Sequence, residues 1–290
     1  MGLNEILLIC AALIPAIILA VYIFIKDRAE KEPIKLLLVL LGCGVFSCFP
    51  AMFIEDVVIA GINSMFGVTT DVPVFADSFT NILYQFSFNF IGIALIEEGL
   101  KWLFLFFVTR KNKNFNSLFD GIIYAVFVSL GFAAFENVLY VLDYGWGTAI
   151  ARALLSVPGH TFFAVIMGYY YSLWNVYEKA KLQESHFDKI GMLKIQSNKF
   201  SGKKHLFLSL VMPVLIHGFY DFCCSFSSVL ATLALICFVI FLYIHCFRKI
   251  KKVSAKDAAD VAVSFSLVCK KYPELQDTIK ALNEAETTNL

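Results

Sequence analysis

The chain has 290 residues, of which 59% are hydrophobic, 16% aromatic and only 16% charged, and its mean hydropathy is +0.74. Soluble domains carry about a quarter charged residues, so this balance disfavours a soluble globule, and its apolar content excludes disorder. A net charge of +1 leaves no whole-protein basic face, which argues against a nucleic-acid partner.

The charges lie in blocks separated by apolar stretches. Seven of these, about 3–25, 36–54, 81–108, 118–142, 148–177, 205–223 and 227–247, are long enough to cross a hydrocarbon core of ~30 Å as helix. Backbone groups in lipid must pair within their own segment, and the short alternating segments of a β-barrel are absent. The expected fold is therefore an all-α polytopic membrane protein with about seven transmembrane helices. The first stretch has no positive n-region and Glu5 as its only early charge, so a cleaved signal peptide is not expected. The eight cysteines include no C-x-x-C pair, which argues against a thiolate zinc site.

Cations set the orientation. All Lys and Arg except Lys101 and Arg152 fall after spans one, three, five and seven, whereas the connections 55–80, 143–147 and 224–226 contain none. The positive-inside rule then places the N-terminus outside and the C-terminus in the cytoplasm. Residues 1–250 form the membrane domain and 251–290 a cytoplasmic tail. In that tail Val261, Phe265 and Val268 form an apolar face at helical spacing.

Charged groups at mid-bilayer cost roughly 2.5–3.5 kcal/mol each on the gentlest scale. This chain places several there: Glu97, Glu98 and Lys101 in span three; Glu136 and Asn137 in span four; Arg152 and His160 in span five; His217 and Asp221 in span six. Glu97 and Lys101 are four apart, as are His217 and Asp221, so each pair shares a helix face. Glu98 is turned about 100° from Glu97, so that one can face a site while the other is held. Small residues flank these positions and permit close helix approach. Pro158 and Pro213 loosen the ladder beside His160 and His217. Arg152 lies near the outer end of its span and is expected to snorkel to the interface.

Such a set of acids and histidines on four helices converges on one interior site. A desolvated carboxylate can act as base on water, and histidines can stabilise an oxyanion. Alternatively His160, His217, Asp221 and Glu136 offer nitrogen and oxygen ligands for zinc. A proton- or ion-coupled transporter would use the same residue types, but it predicts an internal repeat, and the two halves show none.

The run Ile96-Glu97-Glu98-Gly99-Leu100-Lys101, followed by Phe119-Asp120-Gly121, Gly131-Phe132-Ala133-Ala134-Phe135-Glu136-Asn137, Pro158-Gly159-His160 and His217-Gly218-Phe219-Tyr220-Asp221, resembles the PrsW proteases over roughly residues 90–225. The family is similar to the CAAX prenyl endopeptidases and bacteriocin-immunity membrane proteins, which carry E-E-x-x-x-R, F-x-x-x-H and H-x-x-x-N/D. Here Lys101 stands one place closer than their Arg, and Glu136 replaces their second-motif His, a departure that argues against prenyl-CAAX cleavage. The resemblance implies a multi-pass protease of the bacterial cell membrane that makes the first cut in a single-span anti-sigma factor. It makes the second Glu of the pair the base, with Glu136, His160, His217 and Asp221 lining the site and Lys101 and Asn137 supporting it. Zinc is one option for such a site, while analogy with the CAAX relatives favours metal-independent water activation. Helix-depth arithmetic places these groups from the midplane to the outer leaflet, so that the site is expected to open outward.

Overall fold

The computed structural model describes residues 2–27, 30–69, 78–193, 200–256 and 259–275, and these are helical without strands. Six helices are long and apolar enough to cross a membrane. The elements are α1 (Leu3–Lys26), α2 (Ile34–Phe66), α3 (Ser78–Phe86), a π-helical segment (Ser87–Ala94), α4 (Leu95–Thr109), α5 (Asp120–Tyr144), α6 (Trp146–Leu154), α7 (Ser156–Lys189), α8 (Lys203–Cys224), α9 (Val229–Ala255) and α10 (Asp260–Lys271). Over the stretch expected as span three, α3, the π segment and α4 follow in continuous succession and carry Glu97, Glu98 and Lys101. The fold is thus the expected all-α polytopic one.

Helix α5 is the axis of the bundle. From Asp120 to Ala133 every residue is buried by the surrounding helices. Two glycine contacts set how close those neighbours come. A Cβ on Gly44 of α2 would stand 1.9 Å from the Val128 carbonyl oxygen, and one on Gly131 would stand 2.0 Å from that of Leu41. Across the other face, a Cβ on Gly168 of α7 would meet the Gly121 carbonyl oxygen at 2.2 Å. The backbones of α2, α5 and α7 therefore touch directly, as small residues allow in membranes. Helix α9 shows the opposite pattern: its apolar side chains largely face outward, as lipid requires.

Three boundaries differ from those read in the sequence. Helix α2 continues past residue 54 to Phe66, since Val57–Ile62 resumes an apolar run after the two acids Glu55 and Asp56. The single span expected over 148–177 is broken at Leu155 into α6 and α7. Consequently Pro158 lies in the first turn of α7, where its missing N–H costs nothing, and it starts that helix rather than bending it.

At the cation-rich end the connections are pinned by polar contacts. The Tyr124 hydroxyl donates to Glu32 Oε2 at 2.6 Å, and the Glu32 N–H donates to Asp27 Oδ2 at 3.0 Å. Burial, reinforced by the negative charges of Asp120 and Asp27, pushes the Glu32 carboxyl up to about 8. Helix α7, ~51 Å long at 1.5 Å per residue, extends beyond the membrane core and carries α10. There Asp260 accepts from Asn175 Nδ2 at 2.6 Å and from Lys179, and Glu184 accepts from Lys271 Nζ at 2.6 Å and the Tyr272 hydroxyl at 2.7 Å. These bonds rotate α10 so that Asp260, Ser264 and Val268 are its buried stripe. Val261 of the expected apolar face is exposed instead. The tail beyond 275 lies outside the described residues.

Candidate active site

The site begins where the π segment hands over to α4. Asn89, in that segment, donates through Nδ2 to the Gln85 carbonyl at 2.7 Å and to Ser225 Oγ at 2.9 Å, tying it to the end of α8. π-helical turns accommodate an extra residue and often occur at functional sites. The first turn of α4 follows, with Glu97 and Glu98 both buried. Lys101 Nζ donates to Glu97 Oε2 and to Glu98 Oε1, each at 2.8 Å, and to His160 Nδ1 at 3.3 Å. The same ammonium lies 3.9 Å from the centroid of the Phe132 ring. Lys101 is only 1% exposed, so its charge is neutralised within the protein.

The two histidines complete the network from α7 and α8. His160 Nε2 donates to Glu136 Oε2 of α5 at 3.0 Å, which leaves Nδ1 to accept from Lys101. His217 lies between two carboxylates, Glu98 Oε1 at 3.0 Å from Nδ1 and Asp221 Oδ2 at 3.1 Å from Nε2. Both ring nitrogens of His217 are thus within hydrogen-bond distance of a carboxylate oxygen. The imidazole centroids are 5.3 Å apart, and Phe163 stacks on His217 at 4.8 Å. Glu136 is held from its other side by Arg152 of α6, whose guanidinium lies 2.7 Å away. Asn137 donates to the Ala12 carbonyl at 2.8 Å and accepts from Arg152 Nε at 2.9 Å, so it positions the arginine and ties it to α1.

A cavity of about 700 Å³ borders this network. Glu97, Glu136, His160, His217 and Asp221 line it, whereas Glu98 and Lys101 stand behind its wall. It lies toward the cation-free end, reaching Asp143 and Tyr144 at the end of α5 and Ser225 just past α8.

The structure thus brings together Glu97, Glu98, Lys101, Glu136, His160, His217 and Asp221, with Asn137 one bond removed through Arg152. Two cavity residues were not expected. Arg152 is not a snorkelling cation but a partner of Glu136, because the break at Leu155 puts it on a short helix beside α5. Glu55 lies on the extension of α2 and borders the cavity, with Oε1 buried and unbonded among the described residues. The apolar run after Asp56 is the signal that could have placed it inside the helix.

The donor chemistry can be tested for a metal. Glu97, Glu98, His160 and His217 each offer a ligand atom, all within 4.8 Å of one another, and two imidazoles with two carboxylates suit zinc by type. Glu136 and Asp221, expected among the ligands, instead bond to the outer nitrogens of the histidines. The arrangement does not fit an ion as it stands. The Lys101 ammonium already bonds one atom of three of the four donor groups and Glu98 Oε1 takes up the inner nitrogen of His217, while Glu98 Oε2 is buried without a partner among the described residues. A metal would have to displace the buried Lys101 ammonium.

Comparison with known proteins agrees with the residue pattern. Residues 32–245 match the family described as PrsW family intramembrane metalloprotease. Relatives named Protease PrsW include one from Geobacillus kaustophilus, 35% identical over 74% of this chain and 78% of its own length. One from Oceanobacillus iheyensis is 33% identical over 84% and 95%, and one from Bacillus subtilis 32% identical over 84% and 94%. No solved structure matches the chain. The chain therefore belongs to the PrsW family and is an intramembrane peptidase, a multi-pass protein of the bacterial membrane.

Proposed function

We propose that Glu97 activates a water molecule for attack on a peptide bond of a single-span membrane substrate of the anti-sigma-factor type. The observation that carries this is the division of labour in the glutamate pair. Glu97 borders the cavity, while Glu98 is fully buried and serves Lys101 and His217. This supports the first Glu as the base, where the resemblance implies the second.

In the reaction, Glu97 takes a proton from water as the oxygen bonds to the scissile carbonyl carbon. The carbonyl π electrons move to oxygen, giving a tetrahedral oxyanion that collapses in the next step. The carbon–nitrogen bond then breaks, and the amine leaves with the proton held by Glu97. Lys101 supplies the fixed positive charge that keeps two adjacent carboxylates together in a desolvated site, the task a metal would otherwise perform. No step requires an ion.

The orientation follows from the cations: N-terminus outside, C-terminus in the cytoplasm. The cavity then opens toward the outer face, and the cut falls near the extracytoplasmic end of the substrate's span. The test is cleavage of a co-reconstituted single-span substrate by wild type, Glu97→Gln and Glu98→Gln, with product termini mapped by mass spectrometry. E97Q is expected to lose about 10²–10⁴ in rate, the usual cost of a missing general base. Near-normal cleavage by E97Q, or a cut at the cytoplasmic end, overturns the assignment.

A further inference from the structure

A second concavity lies on the other end of the molecule, far along the chain from the glutamate network. It occupies about 500 Å³ between the last turns of α9, Tyr169 of α7 and Leu118 before α5. Its residues on α9 recur every three or four positions: Phe241, Ile244, Arg248, Lys252 and, past the helix end, Lys256. They therefore share one face. The lower part of that face is apolar and exposed, and the upper part is cationic. From Phe241 to Arg248 the axial distance is ~10 Å, and from Phe241 to Lys256 ~22 Å. The groove thus runs from headgroup level into one leaflet. Lys249 joins the cations and lies over the Tyr169 ring, 3.7 Å from its centroid.

The charge on this groove is unbalanced. Among the described residues no carboxylate pairs with Arg248, Lys249, Lys252 or Lys256. At the same end of the bundle, by contrast, Lys179 is paired with Asp260 and Lys271 with Glu184. Four cations within three helical turns repel one another, and an anion among them would relieve that repulsion. A small soluble anion would use only the upper half of the groove and leave Phe241 and Ile244 without a role. A phospholipid with an anionic headgroup uses both halves, and basic pockets beside membrane helices are the usual sites for such headgroups.

We propose that this groove binds one anionic phospholipid, its phosphate among Arg248, Lys249 and Lys252 and an acyl chain along Phe241 and Ile244. The proposal is independent of the peptidase site and of its mechanism.

The test is native mass spectrometry of the full chain in neutral detergent, titrated with dioleoylphosphatidylglycerol or dioleoylphosphatidylcholine. Wild type is expected to prefer the phosphatidylglycerol at least roughly tenfold. Arg248→Gln with Lys252→Gln should weaken that binding about thirty-fold, at about fivefold per cation, and leave phosphatidylcholine unchanged. Lys203→Gln with Lys204→Gln, at the start of α8, should retain the preference. Ile244→Trp keeps every cation and blocks the apolar half, so it should also weaken phosphatidylglycerol and serves if the charge variant fails to fold. Glycerol 1-phosphate should not displace the lipid. Equal binding of the two lipids by wild type, or a preference retained by the folded groove variants, overturns the proposal. Displacement by glycerol phosphate at lipid-like concentration overturns it too, by making the groove a site for soluble phosphoesters.

Discussion

Replacing Lys101 with Met tests whether a side chain supplies the resident cation. The ammonium is 2.8 Å from each of two buried carboxylates and 3.3 Å from His160. Met conserves much of the volume, so the loss is electrostatic. Breaking a buried ion pair by removing one partner costs roughly 3–5 kcal/mol, because the charge left behind stays uncompensated. Here two adjacent carboxylates lose the same partner, so K101M should fall at the upper end of that range. The assay is reversible denaturation in detergent, read by circular dichroism, for K101M, Glu98→Gln and the double variant. E98Q in the K101M background removes one of the two stranded charges, so the double variant should recover a large part of the loss. That non-additivity is the signature of a shared network. A K101M variant within about 1 kcal/mol of wild type would refute the reasoning, since another cation must then be neutralising the pair.

Four further outcomes are expected. Asp221→Asn removes the negative charge beside His217 Nε2 and should lower the cleavage rate roughly 10-fold or more without loss of inserted protein, measured on a co-reconstituted substrate. Arg152→Met should strand Glu136 and destabilise the protein by about 3 kcal/mol, with Glu136→Gln restoring most of it in a double-mutant cycle. Gly168→Leu cannot be accommodated against the Gly121 carbonyl and should cost upwards of about 3 kcal/mol or prevent insertion, read from thermal melts of detergent extracts. Glu32, raised from 4.5 to about 8 in the folded protein, binds more protons folded than unfolded between those values. Its favourable protonation is fully present below pH 4.5 and is lost as pH rises through 8, so thermal stability should decline across that window. Glu32→Gln should flatten the decline.

What the sequence disclosed depended on the cost of burying charge. Glu97, Glu98, His217 and Asp221 stand out because nothing but a partner or a task justifies them at mid-bilayer, and their i,i+4 spacing fixes which share a face. Their convergence needed only helix geometry. The role of Glu97 against Glu98 was not legible, because a rotation of about 100° says that the two differ but not which way the helix is turned. That turn is set by the π segment and by Asn89 bonded to Ser225, 136 residues away. Arg152 was misread for a related reason: helix continuity over 148–177 puts it at an interface, and only the break at Leu155 swings it onto Glu136. Glu55 was assigned to a loop because two acids interrupt the apolar run of α2. Among the glycines, Gly131 marks a backbone contact, whereas Gly99 has open space around its Cβ position and no packing role. Residue type alone does not separate the two.

The most direct measurement is cleavage of a single-span substrate by the purified, reconstituted protein, with its metal content determined on the same sample. The expected result is turnover with far less than one equivalent of zinc per chain, unaffected by chelation and abolished by E97Q. Stoichiometric zinc, with activity lost on chelation and restored by zinc, would contradict Lys101 as the cation of the site.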